Sequence, residues 1–232
     1  LLSIHRAMEN ASLTEKYTRL KQNANFTGIP IAHSPGLADL RSSAERIANH
    51  KSSVLICGET GTGKESLARY IHNSSHRSSY RFVSANASGA DPRNLDKELF
   101  GSENGTEITF GSLELANRGT LFIKGIDEMD LGTQAKLVNS LENQTIIRVG
   151  GHEQVESDMR VIASTRRQLQ ELVHNGSFRE DLFYYLNVLP LTIPPIRERQ
   201  DDISVLIDFF VDSLTNDEGL PKRNFPSSAR SK

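Results

Sequence analysis

The chain has 232 residues, 37% hydrophobic and 24% charged, with a formal net charge of −2 at pH 7. That balance excludes a disordered polymer and a free-standing basic nucleic-acid grip, and leaves a globular chain with one large core or two unequal domains. No apolar run approaches membrane-spanning length and no signal-peptide pattern opens the chain, so the expectation is a cytoplasmic protein with no membrane partner. Its single cysteine, Cys57, excludes an internal disulfide framework and fits a reducing compartment. The chain starts at Leu1 and stops in a polar tail, as an excised segment of a longer protein would.

Taken in order, Ile4, Met8, Ala11 and then Leu13, Tyr17, Leu20 and Ala24 recur at helical spacing. They predict a linker helix over 1–26, which either packs on its own domain or pairs with a second copy. Gly28, Pro30, Pro35 and Gly36 make 26–36 a loop. A helix is expected over 37–50, a first core strand over 53–57 and a helix over 64–76. A second strand over 81–86 and a short helix over 95–100 follow. Residues 104–112 are rich in glycine and threonine and read as a loop. Then come a third strand (120–123), a helix (133–143), and two segments (146–149, 154–157) flanking Gly150-Gly151 as a hairpin. A fourth strand (160–164), helices at 169–174 and 179–187, a fifth strand (188–193) ended by Pro194-Pro195 and an amphipathic helix (203–217) complete the chain. Strands alternating with helices predict an α/β fold with a parallel sheet covered on both faces, its ligand at the carboxyl ends of the strands.

That is where the most informative stretch lies. Gly58-Glu59-Thr60-Gly61-Thr62-Gly63-Lys64-Glu65 follows an apolar strand and opens a helix, which is the pattern of a phosphate-binding loop. The glycines let backbone N–H groups face phosphates, the helix N-terminus adds positive potential, and Lys64 reaches the β- and γ-phosphates. Glu65 stands where Ser or Thr usually offers a hydroxyl to Mg²⁺. Seven histidines show no metal spacing; His72 and His76, four apart on a helix, read as surface. Tyr184 and Tyr185 read as packing residues.

The loop resembles the G-E-S-G-T-G-K-E loop of the sigma-54-dependent transcription activators, the NtrC-type AAA+ ATPases. Other blocks resemble the same family in the same order: Glu98-Leu99-Phe100-Gly101, Leu115-Ala116-Asn117-Arg118-Gly119-Thr120-Leu121-Phe122, Gln134-Ala135-Lys136-Leu137, Arg148-Val149-Gly150-Gly151, Phe178-Arg179-Glu180-Asp181-Leu182-Phe183-Tyr184, Leu186-Asn187-Val188 and Pro194-Pro195-Ile196-Arg197-Glu198-Arg199. The resemblance implies a P-loop AAA+ core over 27–199 and the start of a truncated helical lid over 200–232. It also implies ATP or ADP with Mg²⁺, assembly as a homo-oligomer (dimer or ring) and action on RNA polymerase holoenzyme. A response-regulator-like sensory domain and a helix-turn-helix for promoter DNA would lie outside this chain.

The departures from the family are as informative. After T-L-F-L the family places Asp-Glu, the Asp on the metal and the Glu on the attacking water. Here Thr120-Leu121-Phe122-Ile123 is followed by Lys124-Gly125, and a cation is a poor neighbour for Mg²⁺ but a tolerable one for phosphate. Asp127 and Glu128 lie three residues further on. In a continued strand of period two they would face away, so they do not replace the lost pair on that reading. In the stretch resembling I-A-A-T-N-R, the Asn that senses the γ-phosphate is Arg166. Of two arginines that act as fingers across the subunit boundary, Arg179 stays and the other is Tyr185. The sigma-54-contacting G-A-F-T-G-A loop is absent between Gly101 and Leu113.

The expectation is a transcription-regulator module that binds a nucleotide at residues 58–65, hydrolyses little or none, acts without sigma-54 and works through oligomer state. Some relatives respond to cyclic di-GMP, and Arg69, Lys124 and Arg166 are the cations offered to such a ligand. Two alternatives stay open: an active ATPase using Asp127 and Glu128, and a silent dimerisation scaffold.

Overall fold

The computed structural model of the chain describes residues 34–218 together with 221 and 225. The linker helix expected over 1–26, the loop over 26–33 and most of the tail lie outside the described residues. The chain divides into two compact units, Gly36–Gln200 being one and Asp201 onward belonging to the other.

In the first unit the elements run α1 (Ala38–Ala48), β1 (Val54–Cys57), α2 (Lys64–Asn73), β2 (Phe82–Asn86), α3 (Pro92–Phe100), β3 (Ser102–Asn104), β4 (Glu107–Thr109) and α4 (Ser112–Leu115). Then come β5 (Thr120–Lys124), a 3-10 turn (Ile126–Glu128), α5 (Leu131–Asn143), β6 (Thr145–Ile147), β7 (Gln154–Glu156) and β8 (Arg160–Thr165). The unit ends with α6 (Leu169–His174), α7 (Glu180–Leu186), β9 (Leu189–Thr192) and a second 3-10 turn (Ile196–Glu198).

Five strands form one sheet in the order β2-β5-β8-β1-β9, every neighbouring pair parallel. This is the expected α/β architecture, a parallel sheet flanked by helices. The inner strands read as unbroken apolar runs because both faces are covered. Successive residues take opposite faces. Leu55, Leu121, Ile123, Val161 and Ala163 join Leu99, Leu137 and Leu182 in one core cluster, while Ile56, Phe122 and Ile162 are buried outside it. Each such Val, Leu, Ile or Phe side chain stabilises the fold by roughly 1.5–3 kcal/mol. Pro190 is tolerated in β9 because that strand is the sheet edge. Arg160 of β8 is only 2% exposed, and its guanidinium donates to the Ile47 and Ala48 carbonyls that end α1.

Three local expectations need correction. The segment 104–112 is not all loop. It holds β4, which pairs back on β3 through the two-residue turn Gly105-Thr106, and then enters α4. His72 is not at the surface. It is 4% exposed, with Nδ1 at 2.9 Å from Thr120 Oγ1 and its ring edge-on to Phe82. Tyr184 is not buried: it is 66% exposed with its ring tilted against Phe183 at 5.4 Å, whereas Tyr185 is half-buried and donates to the Leu141 carbonyl.

The second unit contains α8 (Asp201–Glu218), where the sequence predicts the last amphipathic helix. Ser34 donates to Asp202, and Ile207, Phe210, Val211 and Leu214 line an apolar groove with Pro221 and Phe225.

Candidate functional site

At the carboxyl edge of the sheet, β1 runs straight into the glycine-rich loop. Gly61 and Gly63 take φ of 83° and 99°, a region closed to most side chains, and Gly63 caps α2. The Thr62 hydroxyl donates to the Glu59 carbonyl at 2.8 Å and closes the loop on itself. Lys64 Nζ donates to the carbonyls of Gly58 (2.5 Å) and Glu59 (2.7 Å), so the ammonium is held across the mouth of the loop. Burial pushes the Lys64 pKa down, and the nearby positive charges of Lys124 and Arg166 add to this, while Asp127 opposes it. Lys64, Lys124, Arg166 and Asp127 therefore share one electrostatic neighbourhood.

Two arginines to which sequence reasoning gives no role brace the loop from the turn after β9. Arg197 makes a two-pronged pair with Glu59 at 2.7 and 2.9 Å, and this hydrogen bond holds the Glu59 carboxyl below its ordinary range. Arg199 is buried and donates to the carbonyls of Thr62 (2.9 Å) and Pro194 (3.1 Å). Both lie in the block 194–199, so a signal is present in the sequence, although charge and spacing alone do not reveal a brace.

Of the other cations offered to a ligand, Arg69 is not brought to the loop. It pairs with Glu65 at 2.9 Å on its own helix and stacks over the Phe82 ring at 4.4 Å. That contact also removes Glu65 from the loop's free carboxylates.

The turn after β5 departs from the strand-continuation expectation. β5 stops at Lys124. Gly125 then takes φ 69° and starts the 3-10 turn that carries Asp127 and Glu128. A Cβ on Gly125 would lie 2.0 Å from Ser88 Oγ, so the position requires glycine twice over. Because the strand has ended, its period-two argument does not govern Asp127. The Asp127 side chain is fully buried. Its Oδ2 accepts from Arg167 Nε at 2.8 Å, and the Asp127 carbonyl accepts from Arg167 Nη2 at 2.6 Å. Its Oδ1 is buried without a partner. Glu128 pairs with Arg166 at 3.0 Å and accepts from the Gly89 N–H at 3.1 Å. Arg167 is the functional neighbour that sequence reasoning misses; it sits beside Arg166 in the stretch resembling I-A-A-T-N-R.

Arg179 opens α7 and makes its ion pair with Asp181 at 2.7 Å. Its backbone N–H donates to Gln134 Oε1, and Gln134 Nε2 donates to the Met129 carbonyl just past the 3-10 turn. Gln134 is fully buried and thus links the turn after β5 to the start of α7.

The donors around the loop do not suit a divalent cation. Arg166 and Arg167 pair with Glu128 and Asp127, and Lys64 and Lys124 add to them an excess of positive charge before any ligand enters. A divalent cation entering here meets repulsion from these cations, screened by solvent where they are exposed. A polyphosphate meets the opposite sign.

Known proteins resemble this chain in sequence and fold. The Sigma-54 interaction domain matches residues 31–192. Regulatory protein AtoC of Escherichia coli is 39% identical over 224 residues, covering 93% of this chain and 49% of AtoC. Nitrogen assimilation regulatory protein NtrX of Azorhizobium caulinodans is 39% identical over 226 residues, covering 97% of this chain and 50% of that protein. The crystal structure of NtrX from Brucella abortus in complex with ATP superposes with a TM-score of 0.83 at 35% identity, over 99% of this chain and 53% of that one. This chain thus spans about half the length of the curated relatives it matches. No helix among the described residues is long and apolar enough to cross a membrane.

Proposed function

The chain belongs to the Sigma-54 interaction domain family, and from that premise we propose that it is the nucleotide-holding module of a bacterial transcriptional regulator, which binds ATP or ADP at residues 58–65 with little or no turnover. The observation that carries the reading is the turn after β5. There Lys124 and a left-handed Gly125 stand where the family's acidic pair would be, beside an intact and doubly braced phosphate loop. Phosphoryl transfer depends on groups that neutralise and position charge, and this edge retains the cradle without the metal- and water-directing carboxylates. The Brucella NtrX structure is a complex with ATP, which supports an adenine nucleotide here.

Nucleotide occupancy then acts through oligomer state, with the regulator's DNA-binding and sensory parts outside this chain. The tight β3–β4 hairpin supports independence from sigma-54. It is exposed on β4, and Arg148, paired with Glu114 at 2.8 Å and Glu103 at 3.4 Å, pins its base. Cyclic di-GMP has weaker support than ATP, since Arg69 is committed to Glu65 and Phe82 and Arg166 to Glu128.

A second reading, an ATPase built on Asp127 and Glu128, is favoured by the unpartnered Asp127 Oδ1 close to Lys64. Calorimetric titration with ATP and, separately, cyclic di-GMP, with phosphate release followed in the ATP sample, separates these. The expected result is ATP binding weakened about a hundredfold by Lys64→Ala, with no Lys64-dependent release. Lys64-dependent release at about one per second or faster establishes the second reading instead. No binding leaves a scaffold.

A further inference from the structure

Three features of the phosphate edge bear on the form in which a nucleotide is held. Lys124 ends β5, paired in register with Asn86 of β2 and Ser164 of β8, and β8 in turn pairs with β1, which feeds the glycine loop. Its ammonium is thus one strand from the loop, on the edge where phosphates lie in such a sheet. The neighbouring cations are already committed: Lys64 to loop carbonyls, Arg69 to Glu65, Arg166 to Glu128 and Arg167 to Asp127. Lys124 is in no ion pair with any described residue and is exposed to an incoming anion. The carboxylates at this edge are held by arginines, Asp127 by Arg167 and Glu128 by Arg166, and Asp127 Oδ1 is buried without a partner.

We infer that this site takes its nucleotide as the metal-free polyanion, with the Lys124 ammonium neutralising phosphate charge that a divalent cation neutralises at an ordinary phosphate loop. The inference rests on the nucleotide-binding reading above and deepens it. A covalent fixture replaces a diffusible one. Occupancy then tracks nucleotide concentration alone, and the missing metal is one reason for low turnover.

The test is calorimetric titration of the whole chain with ATP in excess EDTA and again in excess Mg²⁺. The expected affinities agree within about threefold. Lys124→Gln is expected to weaken binding in EDTA about tenfold, and Lys124→Asp more, with Mg²⁺ restoring part of the loss in the Asp variant. An affinity of the unaltered chain that rises about tenfold or more with Mg²⁺ overturns the inference while leaving nucleotide binding intact. Unchanged EDTA affinity in a folded Lys124→Gln overturns Lys124's role. No binding in either buffer overturns the inference together with the reading it rests on. The two-buffer comparison needs no variant, so it decides the matter even if a substitution at β5 prevents folding.

Discussion

The loop after β1 and the turn after β5 sit at the same edge of one sheet, separated by β8, yet they obey different rules. The loop has left-handed glycines at 61 and 63 with open space beside them, a lysine across its mouth, and two arginines bracing it from the turn after β9. The turn has a left-handed glycine packed hard against Ser88, a cation ahead of it and a buried carboxylate behind it. One is a cradle whose shape suits an anion. The other is a structural corner, in which the carboxylates are used on Arg166 and Arg167 and Lys124 is left outside any ion pair with the described residues. In the proposed function, nucleotide binding draws on the first and, at the second, on Lys124, whereas hydrolysis would also need free carboxylates at the second, and that asymmetry is its physical content.

Alanine at the two glycines tests the contrast most strongly. At Gly63 (φ 99°) nothing lies within 4 Å of the added Cβ, so only backbone strain opposes it, about 1 kcal/mol. At Gly125 (φ 69°) strain is joined by a 2.0 Å approach to Ser88 Oγ, and Gly125→Ala is expected to cost roughly 2–3 kcal/mol. Urea denaturation measures both. Equal costs would mean that the turn is not the rigid corner described. The ordering in ATP affinity should be the reverse, Gly63→Ala weakening it and Gly125→Ala leaving it nearly unchanged.

Asp127→Asn asks whether the buried carboxylate belongs to the corner or to the cradle. As a corner residue it anchors Arg167, so its loss is expected to cost about 1–2 kcal/mol in stability while ATP affinity stays within about threefold. A tenfold loss of affinity at unchanged stability would join turn and loop into a single site and revive the relocated-ATPase reading.

Much of this is legible in the sequence because the signals are local. The five sheet strands, the phosphate loop and the replacement by Lys124-Gly125 all follow from apolar runs, glycine spacing and collinear blocks. What is not legible depends on three-dimensional partners. A helix-surface cation such as Arg69 looks available until Phe82, on a neighbouring strand, is seen beneath it. The faces of Asp127 and Glu128 are misjudged when strand periodicity is carried past Lys124, where a left-handed Gly125 ends the strand and opens a 3-10 turn. His72 looks exposed because its helix has polar neighbours in sequence, yet Thr120 meets it inside.

The smallest effect is expected at Arg197→Ala, and its size limits how much of the cradle is held from outside. Arg197 and Glu59 are both largely exposed, at 64% and 57% of their side chains, so solvent and salt screen the pair. ATP affinity should fall by no more than about threefold, with the difference shrinking as salt is raised. The same variant has a sharper local readout. The Arg197 hydrogen bond lowers the Glu59 pKa from 4.5, so removing it should return the carboxyl toward that value in an NMR titration. The sign follows from linkage. A depressed folded-state pKa contributes stability that is fully present above the unfolded value and is lost as pH falls through the lowered one, so at neutral pH the native pair is intact. If Glu59 titrates unchanged, the pair is not formed in solution, and the buried Arg199, donating to Thr62 and Pro194, carries the bracing. If it shifts while affinity holds, the cradle keeps its shape without this outer tie, as left-handed glycines and a lysine across the mouth require.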